Sequence, residues 1–221
     1  MTESLSQAIE TLQRSRSMLE PVLASFEKRV AQFGADPRSA FWKDEEWQKR
    51  RYDILSRLFD EPDRLGGISI TDFGCGYGAF FDYLADRSVM KNSRYTGIDM
   101  LAAMIEEANA RIRDSRATFQ SHLIATETAD YTVVCGTYNM NLGANRDEWA
   151  DYVKASLEQL WSKTTKAMGF NMLRFDAPDQ YPGLYYADGM EFVKFCNETL
   201  SPDITYTDDR PLPDWTIIIR R

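Results

Sequence analysis

Apolar side chains recur at spacings of three or four, or multiples of them, through Leu5, Ile9, Leu12, Leu19, Leu23, Phe26, Val30 and Phe33. One stripe at that period predicts amphipathic helix over the first part of the chain, roughly residues 3 to 60. Pro21 lies inside the run, where a ring without an N–H predicts a break or a new helix start. Gly34 suits the left-handed position that ends a helix. A second helix is expected after Asp44, an N-cap residue followed by Glu45 and Glu46 in the first turn. It would run through Ile54, Leu55, Leu58 and Phe59 until Pro62 stops it.

From Gly66 the period changes. Short apolar runs predict strands at Ile68–Phe73, Tyr95–Asp99, Ala117–Ser121, Tyr131–Gly136 and Lys166–Leu173. Helical spacing separates them at Ala79–Asp86, Leu101–Arg111 and Asp147–Ser162, and returns at Met190–Leu200. The tail carries two strands, Asp203–Thr207 and Trp215–Arg220, joined by a loop with Pro211 and Pro213. Strands alternating with helices imply a mostly parallel sheet covered on both faces. The final pair has no helix between its members and should form a hairpin, which places one antiparallel strand in the sheet.

The stretch Ile70-Thr-Asp-Phe-Gly-Cys-Gly-Tyr-Gly-Ala-Phe80 sets Gly74, Gly76 and Gly78 at alternate positions, directly after a strand and before a helix. Residues without Cβ allow a tight turn and a close approach to a ligand, and such a turn lies at the edge of an open α/β sheet where ligands bind. The spacing is GxGxG, not the GxGxxG of dinucleotide folds. Asp72 precedes the first glycine. Asp99 ends the next strand, about twenty residues on, where a carboxylate accepts hydrogen bonds from a ribose diol.

Asp72–Gly78, together with Asp99, resembles the acid-x-Gly-x-Gly-x-Gly motif and second-strand acid of the class I S-adenosylmethionine-dependent methyltransferases. The resemblance spans roughly residues 66 to 221. It implies an α/β, Rossmann-like, mostly parallel seven-stranded sheet with an antiparallel last strand and helices on both faces. Residues 66–221 would form the S-adenosylmethionine-binding domain, and residues 1–65 an N-terminal helical cap. It further implies S-adenosylmethionine as cofactor. Asp72 and the loop Gly74, Cys75, Gly76, Tyr77 and Gly78 would hold its methionine part, Asp99 its ribose, and Met100 its adenine. Tyr77 could equally be a core aromatic.

The chain departs from the family at one point. Thr118-Phe-Gln-Ser-His-Leu-Ile124 offers no acid to the adenine amine, leaving Gln120, Ser121 or His122. In this fold the end of strand four, Cys135-Gly-Thr-Tyr-Asn-Met-Asn141, lies beside the transferred methyl group. Gly136 would there complete the cofactor-contacting set, and Tyr138 and Asn139 are the catalytic candidates. The Asn/Asp-Pro-Pro-aromatic signature of DNA adenine methyltransferases is absent. In the second helix Arg51 could pair with the cofactor carboxylate, beside Trp42, Trp47 and Tyr52. The aromatic insertion Phe175–Tyr186 is placed to line an acceptor site.

Bulk properties narrow the partners. A formal charge of -8 and a pI near 4.8 argue against a nucleic acid. No apolar run approaches the roughly 20 residues of a membrane span, and the start lacks a signal-peptide pattern, so a cytoplasmic protein is expected. The three cysteines, Cys75, Cys135 and Cys196, are widely spaced, and His122 is the single histidine, so neither a disulfide framework nor a metal site is expected. The expected activity is O- or N-methylation of a small molecule, in a chain that could form a homodimer. A protein or peptide methyltransferase and a non-catalytic cofactor-binding partner stand as alternatives.

Overall fold

The structure is a computed structural model that describes residues 3–42 and 45–221. Helices α1 (Glu3–Arg14) and α2 (Arg16–Phe33) open the chain. The break falls at Ser15 rather than at Pro21. The Ser15 hydroxyl donates to the Thr11 carbonyl at 2.8 Å, a local bond that competes with the helical ladder. Pro21 lies within α2, where burial of Leu19 and Val22 on either side offsets the one backbone bond its ring removes. Gly34 ends α2 at φ 58° and donates to the Val30 carbonyl. Helix α3 follows (Glu45–Leu55); the expected cap Asp44 lies outside the described residues. Tight 3₁₀ turns at Ser56–Leu58 and Pro62–Leu65 lead to the sheet.

The remainder alternates as expected: β1 (Ser69–Phe73), α4 (Ala79–Ala85), β2 (Arg94–Asp99), α5 (Ala102–Arg111), β3 (Ala117–Ser121), β4 (Ala129–Cys135), α6 (Arg146–Trp161) and β5 (Thr164–Arg174). Then come β6 (Tyr186–Ala187), α7 (Gly189–Phe195), β7 (Asp203–Asp208) and β8 (Asp214–Arg220). The strand order is β3-β2-β1-β4-β5-β8-β7, with β6 added beside the end of β5. Among the described strands β8 alone runs against the common direction, antiparallel to both β5 and β7. The two-residue β6 was not foreseen, since so short a run carries no periodicity. Helix α7 is shorter than expected and widens into a π-type turn over Cys196–Leu200.

Strand parity divides the core. Phe73, Val134, Met168, Phe170, Ile217 and Ile219 face one layer, built with α1, α2, α6 and α7. Ile70, Tyr131, Val133, Ala167 and Ile218 face the other, built with α3 and α4. Chain order reverses between β1 and β4, so a crevice opens at their carboxyl ends, where open α/β sheets bind ligands. Among the described residues no helix is long and apolar enough to cross a membrane.

Candidate active site

The crevice begins at the turn after β1. The Gly74 and Cys75 N–H groups donate to the Ile98 carbonyl of β2, at 2.7 and 3.1 Å, and tie the turn to the neighbouring strand. Gly74 has φ 77°, and a Cβ there would stand 2.2 Å from the Thr137 hydroxyl, which donates to the Phe73 carbonyl. Only glycine permits that approach of the β1 and β4 loops. Asp99 caps the arrangement: its carboxylate accepts the Gly76 N–H through one oxygen and the Leu101 N–H through the other, both at 2.9 Å. Burial in the cleft wall pushes the Asp99 carboxyl up, against backbone hydrogen bonds that favour its charged form.

The cleft offers about 920 Å³ of space, part of it open to solvent. Its floor carries Asp72, Gly74, Cys75, Gly76, Tyr77 and Gly136, its far wall Asp99 and Met100, and its roof Val22, Leu23 and Phe26 of α2. Asp72 is 2% exposed and accepts a hydrogen bond from Tyr95. Burial among Tyr52, Phe80 and Tyr95 raises its pKa to about 7; the Tyr95 bond opposes the rise and the Asp99 charge adds to it.

A second cavity, with about 1830 Å³ of space partly open to solvent, adjoins the first across Gly136 and Trp42, which line both. Gly136 has φ 68°, its N–H donates to Asn171 at 2.8 Å, and a Cβ would stand 2.8 Å from the Trp42 ring. The walls include Trp47, Asn139, Tyr181, Leu184 and Tyr186, with Arg51, Arg174 and Arg210 among them. The aromatic insertion after β5 thus lines this cavity.

Several sequence expectations are corrected. Tyr138 is fully buried in the core and its hydroxyl pairs with Ser156 at 2.7 Å, so it reaches neither cavity. Its neighbour Asn139 does line the second cavity, while its side-chain oxygen accepts the Leu173 N–H at 3.0 Å. Arg51 lines the second cavity rather than the first and is buried against Asp214 at 2.5 Å, so its charge is taken within the fold. The His122 side chain is exposed and on neither cavity wall; only its backbone N–H touches the site, donating to the Asp99 carbonyl. Gln120 and Ser121 are also off both walls. Gly78 opens α4 outside the cleft wall, packed beside Ile112 and Phe119. The α2 roof was missed as a site element, although Leu23 and Phe26 stood in the apolar stripe. A stripe shows that a face is covered, not what covers it. Among the described residues no cluster of His, Cys, Asp or Glu suits a metal ion.

Comparison with known proteins agrees with this geometry. The methyltransferase domain family matches residues 70–163. Rv1506c of Mycobacterium tuberculosis (strain ATCC 25618 / H37Rv), a protein assigned as a methyltransferase, is 33% identical over 157 residues, 70% of this chain and 93% of that one. Among solved structures, DhpI in complex with SAM and HEP superposes with a TM-score of 0.65 at 14% identity, over 94% of this chain and 99% of that one. Magnesium protoporphyrin IX methyltransferase (ChlM) from Synechocystis PCC 6803 with bound SAH gives 0.63 at 12% identity, over 95% and 99%. At those identities the likeness speaks for the fold. Sequence identity along most of both chains and a fold shared with cofactor-bound enzymes together place the chain in the class I S-adenosylmethionine-dependent methyltransferases, with S-adenosylmethionine as its cofactor.

Proposed function

We propose that this enzyme methylates an oxygen or nitrogen atom of a small molecule held in the second cavity. The supporting observation is that this cavity meets the β1 cleft at Gly136 and Trp42 and is walled by aromatic and apolar side chains. Apolar and aromatic walls of this kind desolvate a compact acceptor beside the cofactor cleft.

The cleft residues fit the cofactor. The Asp99 carboxylate accepts the Gly76 and Leu101 N–H groups on separate oxygens, with a further bond from the Met100 N–H, and a carboxylate's four lone-pair sites leave capacity for a ribose hydroxyl. A Cβ on Gly76 would make only an ordinary contact with the Met104 sulfur at 3.8 Å, so the turn leaves room beside its backbone on the cleft floor. Leu101, Met104 and Met100 supply an apolar wall for the adenine. When bound, the cofactor supplies a sulfonium methyl and its own leaving group. The chain's task is alignment and exclusion of water, which contributes several kcal/mol through proximity. Among the described residues neither cavity is lined by a histidine or a lysine, and Asp179 is the one carboxylate on the second cavity's wall. The site therefore suits a nucleophile with a free lone pair or one already ionised.

Incubation with methyl-labelled S-adenosylmethionine and fractionated cell extract tests the reading. Label should enter the small-molecule fraction; label confined to protein or nucleic acid would refute it.

A further inference from the structure

Three arginines stand on the second cavity's wall, and they are not equally committed. Arg51 is ion-paired with Asp214 and donates to the Trp47 carbonyl, with its guanidinium 4.9 Å from the Trp42 ring, and its buried Nε alone lacks a hydrogen-bond partner. Arg210 is 61% exposed and pairs with Asp208 at 3.0 Å. Arg174, the last residue of β5, differs from both. Its side chain is 12% exposed, yet its buried Nε and Nη1 have no hydrogen-bond partner. The nearest carboxylates, Asp176 and Asp208, stand 3.6 Å from those atoms, beyond hydrogen-bond reach, and both are themselves about half exposed. A guanidinium carries five donors in a rigid fork, and burying it with donors unused costs free energy unless a ligand completes it.

We infer that the acceptor carries an anionic oxygen group, carboxylate or phosphate, and that Arg174 receives it. This rests on the proposed role of the second cavity. The anion competes with the two half-exposed carboxylates, ion-paired at 3.6 Å without hydrogen bonds, for the guanidinium, and offers it the charge-assisted hydrogen bonds they do not make. The acceptor's apolar body then lies among Trp42, Trp47, Leu184 and Tyr186, toward Gly136 and the cofactor cleft. Of the acids around it, Asp214 is held by Arg51, Asp209 is buried against Thr216, Asp179 on the cavity wall is exposed, and Asp176 and Asp208, 3.6 Å from Arg174, are half exposed and shared with Arg210. Arg174 is thus a binding and specificity residue that orients the acceptor, and it takes no proton during transfer.

The test uses the full chain saturated with S-adenosylhomocysteine, whose own affinity is measured first. Calorimetry and ligand-observed NMR then follow two anionic probes, 4-hydroxybenzoate and phenyl phosphate, each against its neutral counterpart, 4-hydroxybenzamide and phenol. At least one anion should bind tenfold or more tightly than its counterpart, and which one separates carboxylate from phosphate. Arg174→Gln should erase that preference, and Arg174→Lys should restore part of it, with S-adenosylhomocysteine affinity unchanged in both. Equal binding of neutral and anionic probes, no binding of either anion at millimolar concentration, or an undiminished preference in Arg174→Gln would overturn the inference. Failure of S-adenosylhomocysteine to bind would instead overturn the cleft assignment on which it rests.

Discussion

The Tyr95 hydroxyl on β2 donates to the Asp72 carboxylate on β1 inside the apolar layer beneath the glycine loop. Tyr95 stands opposite Ile70 in the parallel register, so its ring reaches diagonally to the residue two places on. The bond satisfies one oxygen of a carboxyl that burial holds at a pKa of about 7, far above the ordinary 3.8.

A pH dependence of stability follows. Between about pH 4 and 7 the folded chain keeps a proton on Asp72 that the unfolded chain has lost, so stability falls as pH rises through that window. Asp72→Asn should match the wild type below about pH 4, gain on it between about pH 4 and 7, and hold a constant advantage above that. Tyr95→Phe removes a bond that favours the charged form and should carry the decline to higher pH. Urea unfolding at a series of pH values checks both. A constant difference between wild type and Asp72→Asn across the range would contradict the assignment.

Asp99→Ala should weaken S-adenosylmethionine by about 2–4 kcal/mol, roughly 30- to 700-fold, through loss of charge-assisted bonds to the ribose. The Gly76 and Leu101 N–H groups also lose their acceptor, so the loop loosens as well. Isothermal titration calorimetry reads the change; unchanged affinity would remove Asp99 from the cofactor site.

Arg51 and Asp214 join α3 to β8 with side chains 6% and 0% exposed. Asp214→Ala should therefore cost about 3–5 kcal/mol of stability, because it leaves a guanidinium buried without its partner. The double replacement Arg51→Met with Asp214→Leu should cost less than Asp214→Ala alone. Denaturant unfolding of the three chains measures the difference, and a larger loss in the double variant would show the pair is not acting as a unit.

Tyr138→Phe should leave cofactor affinity and methyl transfer unchanged while costing about 1 kcal/mol of stability, the worth of the bond to Ser156. A collapse of turnover at full cofactor affinity would return Tyr138 to the chemistry.

The hairpin of β7 and β8 shows how far local pattern reaches. Their closeness in sequence was enough to pair them, but not to say which lies inside. Insertion of β8 between β5 and β7 buries Ile217, Ile218 and Ile219, and leaves the more polar β7 as the edge. Continuous apolar runs belong in strand interiors, whereas an edge tolerates polar groups.

The site divides the same way. By itself the sequence determined the glycine turn, the two acids and the alternation of strands with helices, since those depend on backbone freedom and on spacing within a few residues. Only the tertiary structure decided that α2 roofs the cleft, that Arg51 turns to Asp214, that Tyr138 is sealed in the core, and that Arg174 lines the second cavity with two donors that make no hydrogen bond. Those outcomes depend on which side chains from distant segments compete for the same buried space and the same polar partners, and no local spacing encodes that competition.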